Sequence, residues 1–280
     1  VFEEVYRVPR GPWSDYVKRR ATWDPIRQCI GLDAQFYEGS EILLYPPEWL
    51  NRSEKLAEEH KNRKIKAISI GIDPAEGGDK TCYCIIDDVG IIELISMSTP
   101  DTSVITGDTI ALIKKYNVPH HRVLFDRGGG GKEHADRLRT QGYLVGTVAF
   151  GESVTPQLKR GTTNLGDRIE QKEERYAYKN RRAEMYGMLR NLLDPSNEKG
   201  FAIPSTYMEL RRQMAPIPLT YDPEGRLEIM PKAKRATEKN SMKRTLTDIL
   251  GCSPDQLDSL VLSVFGAYGI RDKVNIGAAW

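Results

Sequence analysis

No stretch of this chain approaches the roughly 20 consecutive apolar residues that a membrane-spanning helix needs, so a soluble protein is expected. Cysteine is scarce. Cys29, Cys82, Cys84 and Cys252 are scattered, and nothing in their spacing points to a disulfide framework or an oxidising compartment. The one close pair, Cys82 and Cys84, stands two residues apart on a β-rich run, which turns both side chains to one face as buried thiols rather than zinc ligands. An excess of charge is missing too: Lys+Arg 41 against Asp+Glu 39 leaves a net +2, a balance that by itself names no partner. Internal repeats and low-complexity tracts are absent. The chain opens on Val1 with neither an initiating methionine nor a signal peptide, and is read as an excised or processed piece.

What the chain does contain is a globular composition, 39% hydrophobic and 29% charged over 280 residues. That suits one main domain with an appendage. Residues 1–64 are rich in proline, tryptophan and charge, with a helical fragment at 48–63 and no periodic core of their own. They read as an arm leading from an upstream domain, with the main domain spanning 65–280. Three β-type runs follow, KAISIGI (66–72), TCYCIID (81–87) and GIIELISM (90–97), predicted as sequential antiparallel strands. A helix stripe covers 104–116, then a strand at 122–126, a helix at about 132–141 and a strand at 143–149. The order βββαβαβ describes an α/β fold with a mixed sheet between helices. Residues 151–175 form a polar connection longer than compact domains usually carry. A helix is expected at 178–193, and a hairpin around Asp222-Pro223-Glu224-Gly225. The last helix carries its own start signal. Ser253, Pro254 and Gln256 fit N-cap, N1 and N3 of a capping box, and an apolar stripe runs from Leu257 to Tyr268.

The segment FDRGGGGKEH (125–134) invites a phosphate-loop reading, which its acids refuse. Asp126 stands where the loop needs its first glycine and Glu133 where it needs Ser or Thr, and both would repel phosphate. What remains is an aspartate closing a strand. Asp73, in GIDPAEGGDKT (71–81), repeats that pattern of apolar strand, acid and glycine turn. Acids at strand ends of such a sheet project together where ligands bind. Asp255 and Asp258, three apart at the start of the last helix, share a face and feel its positive end. Convergence of Asp73, Asp126 and Asp258 would be costly without a counterion. Two divalent cations, Mg²⁺ or Mn²⁺, remove that cost and can hydrolyse a phosphodiester. Basic residues crowd 127–182 and 232–244, as a polyanionic substrate would require.

Four motifs, GIDPAEGGDKT, VLFDRGGGGKEHADRL, NRRAEMYGMLRNLL and SPDQLDSLVLSVFG, stand in this order over about residues 66–270. Together they resemble the C-terminal nuclease domain of the large terminase subunit of tailed bacteriophages. The stretch GLDAQFYEGSEILLYPPEWL (31–50) resembles that family's connection between motor and nuclease. The resemblance implies an RNase H-like fold and a metal-dependent endonuclease that cuts concatemeric viral DNA. It also implies work in the cytoplasm of a bacterial host with double-stranded DNA, an upstream ATPase domain, the portal protein and the small terminase subunit. By motif, Asp73, Asp126 and Asp258 would be the catalytic, metal-holding acids. Asp79 would take an outer or additional metal role and Asp255 would orient the site. Lys132, Arg182, Lys232, Lys234 and Lys243 would contact DNA, and the glycines after Asp126 would let a phosphate backbone approach the metals. The family's ATPase motifs have no counterpart here, so neither ATP hydrolysis nor translocation is expected of this chain. Two rivals follow from the same residues: a resolvase- or transposase-like nuclease of this fold, and a non-catalytic DNA-docking module.

Overall fold

A computed structural model describes residues 42–75, 79–99, 101–155, 177–233 and 244–270. Most of the polar connection expected at 151–175, together with Lys234 and Lys243, lies outside them. The described elements are α1 (Pro47–Glu59), β1 (Ser69–Asp73), β2 (Lys80–Ile86), β3 (Ile91–Ser98), α2 (Val104–Tyr116), β4 (Val123–Asp126), α3 (Gly131–Thr140) and β5 (Gly146–Val148). There follow α4 (Arg181–Leu193), α5 (Met208–Met214), β6 (Thr220–Tyr221), β7 (Leu227–Glu228), α6 (Leu246–Leu250) and α7 (Asp255–Val264), which runs on as a wider π turn over Phe265–Gly269.

Five strands form one mixed sheet in the order β3-β2-β1-β4-β5. The first three pair antiparallel, as the short turns between them require, while β4 and β5 run parallel to β1 after helical crossovers. Helices cover both faces of the sheet, so its central strand is apolar or small at almost every position and buried throughout. Alternation then assigns the side chains. Ile70, Ile72, Tyr83, Ile85, Val123 and Phe125 face α2 and α3, meeting Ile105, Leu112, Ile113, Ala135 and Leu138. Cys84, Ile86 and Leu124 face the opposite way, into a larger core built by α4, α5 and α7.

On that second face β1 offers only Ser69, Gly71 and Asp73. A Cβ on Gly71 would stand 2.1 Å from the Ser259 carbonyl oxygen and 2.4 Å from the Ser263 amide, so α7 lies directly on the strand. Ser69 Oγ closes the contact by donating to the Ser263 carbonyl at 2.7 Å. The small residues of β1 thereby draw the amino end of α7 down beside the strand's final aspartate.

Residues 43–60 pack into the same core as α4. Leu44 and Tyr45 are buried, the Leu44 amide donates to the Ile217 carbonyl at 2.7 Å, and Trp49 lies under the Arg190 guanidinium at 4.6 Å.

The last helix starts differently from its sequence signal. It begins at Asp255 with Pro254 as N-cap and no side-chain cap; the Ser253 hydroxyl donates to the Asp255 carboxylate instead. The carboxylate is a strong charged acceptor within local reach, and the hydroxyl turns to donate to it, so that Ser253 serves the acid and not the helix amides. The capping box of this region stands earlier, on α6. There the Asp248 amide donates to Thr245 Oγ1 at 3.2 Å, and the Thr245 amide donates to Asp248 Oδ2 at 2.9 Å.

Candidate active site

Parallel pairing sets the first two acids side by side. Ile72 is in register with Phe125, so the residues that follow, Asp73 and Asp126, end neighbouring strands at the same carboxyl edge. Both point to the α7 face, each two residues beyond a position of that face, Gly71 in β1 and Leu124 in β4. Asp255 and Asp258 come from the first turn of α7, and the loop after β7 delivers Lys232.

The Lys232 ammonium is the hub. It stands 3.3 Å from Asp73 Oδ2, 3.0 Å from Asp255 Oδ1 and 3.5 Å from Asp258 Oδ2. Asp258 is fully buried, and its Oδ1 accepts from the Tyr186 hydroxyl at 2.7 Å and lies 3.4 Å from Arg182 Nη1. Its Oδ2 has no hydrogen-bond partner among the described residues. Asp255 also accepts from the Lys80 amide at 3.4 Å. Asp126 Oδ1 accepts from the Gly128 amide at 3.1 Å.

Burial pushes the Asp73 carboxyl well above its ordinary value, and Asp258, Asp126 and Asp255 add to the rise against Lys232. Burial raises Asp126 as well, with Asp258 adding, while the Gly128 amide, Lys232 and Arg182 oppose. Burial alone would pull the Lys232 ammonium down; Asp258, Asp73 and Asp255 override it and hold the group above its usual range. Arg182 shows the same contest, its burial outweighed by Asp258 and the other anions. The site is therefore a buried anionic cluster that recruits positive charge.

The glycine turn owes its composition largely to its own packing. Gly129 and Gly130 adopt left-handed φ of 55° and 75°. A Cβ on Gly129 would meet the Pro74 carbonyl oxygen at 2.5 Å, and one on Gly131 the Asp126 carbonyl oxygen at 1.8 Å. Gly128 has ordinary room, 3.5 Å from Asp126 Oδ2. Beside the acids, Cys82 pairs opposite Asp73 in the sheet, where burial pushes its thiol up to about 12. Cys84 is equally buried.

The remaining expected residues divide by position. Asp79 is exposed just ahead of β2, near Cys252, whose thiol its charge helps raise after burial and Glu209. Lys132 is exposed in the first turn of α3. Arg182 is buried, 4.4 Å over the Phe150 ring and beside Asp258, so it faces the acids and not the solvent. Lys232 likewise points into the cluster. Sequence reasoning missed the Lys232 hub and Tyr186; for Tyr186 a signal existed, because it stands one helical turn beyond Arg182 and shares its face.

Among the described residues, no three acid, histidine or cysteine side chains already stand as a metal cage. The donor set still suits a hard divalent cation: carboxylate oxygens only, one of them buried without a hydrogen bond, and an ammonium standing where positive charge is drawn.

No protein-family profile and no curated protein matches the chain. Solved structures do. The nuclease domain of the large terminase subunit of bacterial virus Sf6 aligns at 18% identity and TM-score 0.57, covering 80% of this chain and 98% of that one. A mutant of that domain solved with manganese and beta-thujaplicinol aligns at 17% and 0.56, over 80% and 98% of the two chains. Another, solved with calcium, aligns at 18% and 0.56, over 80% and 99%. The chain thus has the RNase H-like α/β fold of phage large-terminase nuclease domains.

Proposed function

We propose that this chain is the metal-dependent DNA endonuclease domain of a phage packaging terminase, cutting concatemeric double-stranded DNA. One observation carries the reading: acids remote in sequence, Asp73, Asp255 and Asp258, gather around one cation position at the carboxyl edge of an RNase H-like sheet, with Asp126 closing the neighbouring strand. Asp73, Asp126 and Asp258 would hold two divalent cations, Mg²⁺ or Mn²⁺, with Asp255 and Asp79 at the periphery. Such ions, when bound, lower the pKa of water and stabilise the leaving oxygen of a phosphodiester.

The protein's own groups do the rest. The buried carboxylates supply negative charge in a site largely closed to water, where electrostatic effects are strong. Arg182 offsets part of that charge, and the Gly128 amide and Tyr186 hydroxyl orient Asp126 and Asp258. Of the basic residues assigned to DNA, Lys132 is free to meet phosphate from α3, and Lys234 and Lys243 keep that assignment from outside the described residues. Arg182 and Lys232 belong instead to the acids they face. Residues 1–64 would lead to an ATPase domain, with the portal protein and small terminase subunit as partners in the same assembly.

Asp126→Ala is expected to abolish Mn²⁺-dependent nicking of supercoiled plasmid while leaving DNA retention largely intact, measured by gel assay and by filter binding. Equal cutting by the variant and the parent would overturn the assignment. DNA retention by the parent with no nicking at any Mn²⁺ concentration would favour a docking module.

A further inference from the structure

The Asp258 carboxylate is treated unequally by its surroundings. Oδ1 is claimed by two groups of α4, the Tyr186 hydroxyl at 2.7 Å and Arg182 Nη1 at 3.4 Å. Oδ2 has no hydrogen bond among the described residues and faces the Lys232 ammonium across 3.5 Å. Because a carboxylate is planar, fixing one oxygen fixes the direction of the other. Tyr186 can perform that task because its side chain cannot itself turn away: it is wholly buried in the larger core.

The geometry points to Tyr186 as a positioning residue of the hydrolytic site: its hydroxyl locks Asp258 so that Oδ2 is presented to the cation position. This rests on the nuclease reading above, since a positioning role has meaning only if a divalent ion is bound there. The physical reason is the one that governs outer partners of metal-bound carboxylates. A ligand already oriented loses less freedom on binding, and removing its orienting hydrogen bond typically costs about 10- to 100-fold in metal affinity. Arg182 reinforces the orientation from the same oxygen, but its charge also lowers the repulsion among the acids, so its removal would mix two effects. Tyr186 is neutral and isolates the geometric one.

The test compares the full chain with Tyr186→Phe and Tyr45→Phe, measuring Mn²⁺ affinity by titration calorimetry, thermal midpoint without metal, and cleavage with kcat and KM for DNA separated. Tyr186→Phe is expected to weaken Mn²⁺ binding by about 10-fold or more and to lower kcat at fixed Mn²⁺ with KM for DNA unchanged. Raising Mn²⁺ should restore most of the rate. Tyr45→Phe, which removes a buried hydroxyl that donates to the backbone carbonyl of Tyr186 at 3.1 Å and hydrogen-bonds to no acid among the described residues, should lower the thermal midpoint and leave Mn²⁺ affinity as it was. The inference is overturned if Tyr186→Phe binds Mn²⁺ as tightly as the parent, or if Tyr45→Phe weakens it equally, since that would make the effect one of general packing. If the parent chain itself binds no Mn²⁺, the nuclease reading falls, a result distinguishable from failure of the Tyr186 assignment.

Discussion

At the scale of single residues, the acids of the site work against the fold. Asp73 is held above the ordinary carboxylate range by burial and by its anionic neighbours, even with Lys232 at 3.3 Å. A group whose folded pKa is raised costs nothing below its unfolded pKa, about 4 for aspartate. Its cost then grows as pH rises towards the folded pKa and is present in full above it. Asp73→Asn is therefore expected to raise the thermal midpoint of the metal-free protein at neutral pH, with the gain shrinking to nothing as the buffer approaches about pH 4. A midpoint difference that is flat with pH would refute the account. The same variant should lose cleavage, so stability and activity part company at one side chain.

Helices and strands set how closely those acids can meet. Gly71 is the element-scale hinge of the design, because its missing Cβ lets α7 rest on β1. Gly71→Val is expected to destabilise the domain by about 3 kcal/mol or more, since overpacking here meets main-chain atoms and not a side chain that can swing aside. Urea unfolding measures this, and the variant should also weaken Mn²⁺ binding by lifting Asp258 away from Asp73.

Much of this architecture was legible in the sequence. The apolar stripe of α2 gave both of its ends, Val104 and Tyr116, and the apolar runs placed β1 to β4 within a few residues. Short elements were harder. α5 and α6, of 7 and 5 residues, are too brief for a helical period to stand out, and β5 keeps only Gly146–Val148 of its expected run because sheet pairing ends where its neighbour β4 does. Strand-end position made Asp73 and Asp126 visible. Lys232 was not, because sequence shows a basic run but not which member turns inward, and that is decided by the field of acids from three other elements.

For the whole molecule, binding and stability are linked through the anionic cluster. A ligand that binds only the folded state stabilises it by RT ln(1 + [L]/Kd), about 2.7 kcal/mol at 100 times Kd. Saturating Mn²⁺ is accordingly expected to raise the thermal midpoint of the parent at neutral pH, and to raise that of Asp126→Ala far less, by differential scanning fluorimetry. An equal rise in both would place the binding elsewhere.

The contact of β1 with α7 also governs timing. Ser69 and Ser263, hydrogen-bonded to each other, are 194 positions apart in the chain, and synthesis proceeds from the amino end. The central strand must wait on the ribosome, the face that Gly71 leaves open bare, until α7 emerges. A nascent or prematurely terminated product ending before residue 255 therefore lacks Asp255 and Asp258, two of the four acids, and the cation position that Lys232 marks cannot assemble until α7 has been made.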